Sequence, residues 1–125
     1  MKYSIDKQEQ YSVFELQEEK LDSVIAPDLK SQFIIMKNEG TANLIFDLSA
    51  VKYVDSSGLS AILTGNRLWK GDGVFILACV DSPSIQKLIE ISRLQTILTI
   101  MPTVDEGVDF VLMEEIEKDL NKEES

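Results

Sequence analysis

The chain has 125 residues, 44% of them hydrophobic, with one cysteine, no histidine and a formal net charge of −10. That is apolar material for one core and one domain, and it excludes a wholly disordered chain. The balance of 22 acidic against 12 basic residues repels phosphate backbones and anionic lipid heads, which argues against partners of the nucleic-acid or membrane-surface kind.

In chain order, residues 2–7 and Tyr11-Ser12-Val13-Phe14-Glu15-Leu16 alternate as two short strands around a polar turn. Asp22 precedes a helical pattern in which Ile25, Leu29, Phe33 and Met36 recur at about one-turn spacing, with Pro27 in the first turn, and Asn38-Glu39-Gly40-Thr41 stops it. Leu44-Ile45-Phe46-Asp47-Leu48 is nearly continuous in apolar residues, as in a strand covered on both faces. After Val51-Lys52-Tyr53-Val54 comes Asp55-Ser56-Ser57-Gly58, then a helix to about Lys70 with Leu59, Ile62, Leu63 and Asn66 on one face. Gly71-Asp72-Gly73 is a turn, and Val74 to Val80 is the most strand-like run in the chain.

Ser82-Pro83 starts the next helix, with Ser82 as its cap and Ile85, Leu88, Ile89 and Ser92 at helical spacing. Ile97-Leu98-Thr99-Ile100-Met101 is a last strand closed by Pro102. The stripe Val108, Val111, Leu112, Ile116 and Leu120 belongs to a final, acidic helix. Strands and helices alternate through the later chain, so the fold class is α/β: one domain, a mixed but mostly parallel sheet and about four helices.

Several chemistries lack their residues. Without histidine the commonest general base and metal ligand are missing, and one cysteine makes neither a CxxC pair nor a thiolate-rich zinc site. No GxGxxG or GxxxxGK[ST] motif occurs. A magnesium-dependent aspartyl phosphoacceptor would need an acidic pair after the first strand and a lysine after the last; Met101-Pro102-Thr103 carries none. Cys79, inside an apolar run, reads as a small core residue, and Trp69 as packing. The reading is therefore non-enzymatic, with no cofactor, no metal and no catalytic residue. Residues Met1 to Asp6 hold no apolar signal core, no run is long enough to span a bilayer, and a lone cysteine suits a reducing compartment. A cytoplasmic protein is expected.

The tetrapeptide Asp55-Ser56-Ser57-Gly58 marks a strand-to-helix junction. Asp55 or Ser56 can cap the helix, and Gly58 relaxes local sterics. Capping alone accounts for these residue types. A helix start also suits an added phosphate of about −1.5 to −2 charge, because free amides and the positive dipole end face it.

The stretch from Leu44 through Asp47-Leu48-Ser49 to Val54-Asp55-Ser56-Ser57-Gly58-Leu59 resembles the signature of the STAS domain, the fold of bacterial anti-anti-sigma factors (anti-sigma factor antagonists). Leu21-Asp22 is similar to the Leu-Asp that opens the family's first helix, and Ser82-Pro83, Leu88 and Ile91-Ser92-Arg93-Leu94 match the region after its fourth strand. The likeness covers about residues 3–113, implying a STAS domain over 1–113 and an acidic helix end and tail over 114–125. Two positions depart from the pattern: Glu19 and Arg93 stand where the family commonly has glycine.

The resemblance implies partner switching in transcription regulation. Ser56 would be the phosphoacceptor, and Asp22, Asp55, Ser57, Gly58 and Leu59 would meet the partner. Unphosphorylated, the module would bind an anti-sigma factor that is also a serine/threonine kinase and so free a sigma factor; a PP2C-type phosphatase would reset it. The alternative is a STAS scaffold subunit of a transporter or stress-signalling assembly, docking without phosphorylation.

Overall fold

The computed structural model describes residues 1–124. The elements are β1 (Tyr3–Lys7), β2 (Ser12–Leu16), β3 (Lys20–Leu21), α1 (Ala26–Asn38), β4 (Leu44–Asp47), β5 (Tyr53–Val54), α2 (Ser56–Trp69), β6 (Phe75–Ala78), α3 (Pro83–Ile91), a 3-10 turn at Leu94–Thr96, β7 (Thr99–Met101) and α4 (Val104–Glu124). The main sheet has the order β1-β2-β4-β6-β7. Only β1 runs antiparallel to its neighbour; β2, β4, β6 and β7 are parallel. The expected α/β class, mostly parallel sheet and four helices are all present.

The apolar run of β4 is covered on both faces, as a parallel central strand must be. Leu44, Phe46 and Leu48 point into the larger cluster, with Phe14, Phe33, Trp69, Phe75, Ile85 and Ile89. Ile45 points the other way, where Ile76, Ala78 and Val111 form a smaller core under α4. Phe33 lies at the centre of the aromatic packing, edge-on to Phe14, Phe46, Trp69 and Phe75 with ring centres 5.2–6.3 Å apart, the geometry that ring quadrupoles favour. Trp69 is fully buried, and its indole N–H donates to the Thr41 carbonyl (2.9 Å); its expected packing role holds.

One buried polar residue joins three segments of the chain. Asn43, 1% exposed, donates through Nδ2 to the Gln10 carbonyl (2.7 Å) and to Glu115 Oε1 on α4 (2.9 Å), while its Oδ1 accepts the Val74 amide (2.8 Å). Beyond that contact α4 turns outward: Ile116 and Leu120, expected on its apolar stripe, are 52% and 53% exposed.

Several sequence expectations need correction. β6 stops at Ala78, so Cys79 lies outside the strand. It is half-buried and holds a left-handed backbone (φ 59°), a bend that lets the chain leave the sheet towards α3. The last strand is shorter than 97–101, because Leu94–Thr96 winds into a 3-10 turn that buries Leu94 and Leu98 and leaves Ile97 exposed. Asp22 stands before the helix, as expected. It forms a turn in which its Oδ1 accepts the Val24 and Ile25 amides (3.1 and 3.4 Å), and α1 starts at Ala26.

Arg93, one of the two departures, has φ 56° and ψ 29° just past the end of α3. This is the left-handed position that ends many helices and that glycine occupies without steric cost. Arginine accepts the cost here.

Candidate functional site

The junction that carries Asp55 is built by a second, small sheet. β3 and β5 pair in parallel, Lys20 with Tyr53 and Leu21 with Val54. The Glu19 carbonyl accepts the amides of Lys52 and Tyr53 (2.8 and 3.1 Å), and the Leu21 carbonyl accepts that of Asp55 (3.2 Å). Two residues per strand give no alternation to read, which is why these strands were absent from the sequence expectations. They set the segment before Asp22 alongside the segment before Ser56, so residues some thirty positions apart share one surface. The Glu19 side chain pairs with Lys52 at 3.5 Å, both groups well exposed, a contact that contributes little to stability.

At the head of α2 the two capping alternatives separate. Asp55 is the N-cap, in extended conformation, and its Oδ1 accepts the Gly58 amide (2.8 Å). Among the described residues the Ser56 hydroxyl has no hydrogen-bond partner, and Ser56 is exposed. Gly58 is buried for a more specific reason than relaxed sterics: a Cβ there would run into the carbonyl oxygen of Leu21 and lie 2.8 Å from the Leu21 Cγ. Glycine lets α2 press against the Leu21-Asp22 backbone. Of the other expected site residues, Ser57 is half-buried on the first turn, Leu59 packs against the main core, and Asp22 stands one residue beyond Leu21 with its carboxylate held in its own turn.

Ser56 lies on the rim between two depressions. One, of about 270 Å³, opens towards α1 and is lined by Ser23, Ala26, Pro27, Lys30, Ser57 and Ser60 besides Ser56. The other, of about 830 Å³, runs between α2 and α3 along Tyr53, Leu59, Lys87, Leu88 and Ile91. Tyr53 and Ile91 are 48% and 70% exposed, so this groove presents apolar surface next to the serine. Sequence reading missed Lys30, Tyr53 and Lys87 as site residues. The available signal for Lys30 was its place four residues after buried Ala26, which sets it on the same side of α1.

Cys79 stands apart from this surface. Burial first, and then the Asp47 carboxylate, push its thiol up to about 11, so it is a weak nucleophile near neutrality.

Among the described residues no helix is long and apolar enough to cross a membrane. An anti-sigma factor antagonist from Mycobacterium paratuberculosis has a similar structure, with a TM-score of 0.79 at 22% identity over 88% of this chain and 92% of that one. The phosphorylated form of the Bacillus cell fate determinant SpoIIAA gives 0.67 at 21% identity, covering 88% and 99%. A sulfate transporter family protein from Wolinella succinogenes also gives 0.67, at 14% identity over 81% and 84%. These likenesses establish the fold. The profile of the STAS domain matches residues 2–107, and with this sheet order and these four helices the chain belongs to the STAS domain family.

Proposed function

We propose that this protein is an anti-anti-sigma factor, a non-enzymatic cytoplasmic switch whose phosphoacceptor is Ser56. In its unphosphorylated form it binds an anti-sigma factor that is also a serine/threonine kinase, and so releases a sigma factor for transcription. The kinase moves the γ-phosphoryl group of ATP to the Ser56 oxygen; the hydroxyl proton is lost and ADP departs. The modified protein leaves its partner, and a PP2C-type phosphatase hydrolyses the phosphoserine to restore the binding form. Asp22, Asp55, Ser57, Gly58 and Leu59 shape the surface the partner meets. One similar structure is that of an anti-sigma factor antagonist, and another is that of a Bacillus cell fate determinant in its phosphorylated form, which supports the reading.

The single observation that carries it is the division of labour at the head of α2. Asp55 does the capping, and the Ser56 hydroxyl is left exposed and unengaged beside an apolar groove. A phosphate there adds about −1.5 to −2 charges without removing any bond that holds the fold. A partner seated on the groove would have to desolvate that charge. Moving a complex from almost fully bound to almost fully free requires about 5.5 kcal/mol of differential binding, and a desolvated charge at a close contact supplies a large part of such a difference.

Incubation with the cognate kinase and ATP, followed by peptide mass spectrometry, is expected to place the phosphate on Ser56. Ser56→Ala should hold the partner with or without ATP, and Ser56→Asp should bind it at least about tenfold more weakly, roughly 1.4 kcal/mol. Phosphate on Ser57 alone, or on neither serine, refutes the assignment.

A further inference from the structure

We propose that the phosphate carried by Ser56 turns away from the apolar groove, towards α1, and is received there by the ammonium group of Lys30. The inference rests on Ser56 being the phosphoacceptor and concerns where the added group goes. Ser56 borders two depressions that differ in how much apolar surface they present. The larger is walled mainly by Tyr53, Val54, Leu59, Leu88 and Ile91, with Asp55, Ser84, Lys87 and Ser92 also on its lining. The smaller offers the hydroxyls of Ser23, Ser57 and Ser60 and the side chain of Lys30. A phosphoryl group brings three strong acceptor oxygens; the smaller depression concentrates hydroxyls and an ammonium as donors for them, whereas in the larger Ser84, Lys87 and Ser92 share the lining with apolar side chains and the Asp55 carboxylate.

Lys30 is a cation in reserve. It is half-buried, and among the described residues its side chain makes neither an ion pair nor a hydrogen bond, although acidic groups outnumber basic ones 22 to 12 in the chain. The neighbouring carboxylates are otherwise engaged: Asp22 accepts the Val24 and Ile25 amides, and Asp55 accepts the Gly58 amide. Asp28, in the first turn of α1, is exposed. On the opposite rim the comparable cation is Lys87 of α3, which borders the apolar groove. Lys30 and Lys87 therefore define two rival destinations for one phosphate.

With the phosphate held on the α1 side, the apolar groove keeps its shape and loses its partner through charge at its edge. Lys30 then helps set how firmly the modified serine is held and how fully it is ionised.

The test installs phosphoserine at position 56 during synthesis, by genetic encoding, and follows its phosphorus NMR shift against pH in the full chain. The same titration is run with Lys30→Ala, Lys30→Arg and Lys87→Ala. Removing the nearby cation destabilises the dianion, so Lys30→Ala should raise the midpoint for loss of the phosphate's second proton by about half a pH unit, Lys30→Arg should restore it, and Lys87→Ala should change it by less than half as much. An unchanged midpoint in Lys30→Ala overturns the inference, and so does an equal or larger change in Lys87→Ala. Because no kinase is used, the result is independent of the phosphorylation assay; the two ideas can fail separately.

Discussion

Two strand-to-helix crossings have similar spelling, Asp55-Ser56-Ser57-Gly58 from β5 into α2 and Asp81-Ser82-Pro83-Ser84 from β6 into α3, yet they are built differently. At the first, the aspartate caps the helix and the serine after it is left exposed. At the second, Ser82 occupies the cap position but does not cap; its hydroxyl donates to the Lys52 carbonyl (2.8 Å), tying the start of α3 to the loop before β5. Gln86 adds a bond from its side-chain amide to the Val80 carbonyl (2.8 Å), and Pro83 starts the helix with its φ already fixed. The second crossing thus spends its serine on structure. What distinguishes the first is which side chain performs the capping, and therefore which hydroxyl is left over.

The comparison breaks most sharply at Gly58. Helix propensity favours alanine over glycine by about 1 kcal/mol, so on local grounds Gly58→Ala should stabilise the protein. The new methyl group would instead meet the Leu21 carbonyl, a backbone atom with little room to yield, and overpacking of this kind costs about 1–3 kcal/mol. We expect net destabilisation of about 1–2 kcal/mol, read as a lower urea midpoint at constant slope. An unchanged or raised midpoint would show that the two segments are not pressed together as described.

The caps differ less. Asp55→Ala removes a side-chain cap and should cost about 1 kcal/mol. Ser82→Ala removes one exposed hydrogen bond to a carbonyl and should cost about 0.5 kcal/mol. Reversal of that order in paired urea titrations would contradict the assignment of capping to Asp55 alone.

The gentlest probe changes no residue. Cys79 lies on the second crossing, and its thiol is pushed up from 9.0 to about 11 by burial and the Asp47 charge. Both causes disfavour the thiolate, so alkylation should be slow at neutral pH and rise about tenfold per pH unit with no plateau near the ordinary thiol range. A plateau near 9 would place the thiol in open solvent.

Much of this architecture was legible in the sequence because it is periodic. The turn spacing of Leu29, Phe33 and Met36 and the nearly continuous apolar runs of β4 and β6 lead directly to helices over a parallel sheet. The small sheet of β3 and β5 was not legible, since its register depends on main-chain bonds from Glu19 and Leu21 across a gap that no local pattern spans. For the same reason Gly58 could be marked as permissive but not as the residue that admits the Leu21 carbonyl. At the site, residue types pointed equally to Asp55 and Ser56 as caps; only the observed bond to the Gly58 amide separates them. The two depressions beside Ser56 combine residues from α1, α2 and α3, and the larger apolar share of the second emerges only when those helices are packed.

Asn43 has a consequence for where this domain can be cut. Its amide nitrogen has two hydrogens, one given to Gln10 and the other to Glu115, in a setting that is 1% exposed. α4 runs without a break through residues 113 and 114 to reach that contact. A chain shortened at residue 113 would retain every residue around Ser56 and still strip a buried donor of its acceptor, which costs about 1–3 kcal/mol. The acidic end of the molecule thus carries one carboxylate that works as an internal fastener, and a minimal version of the domain has to extend past Glu115 to keep it.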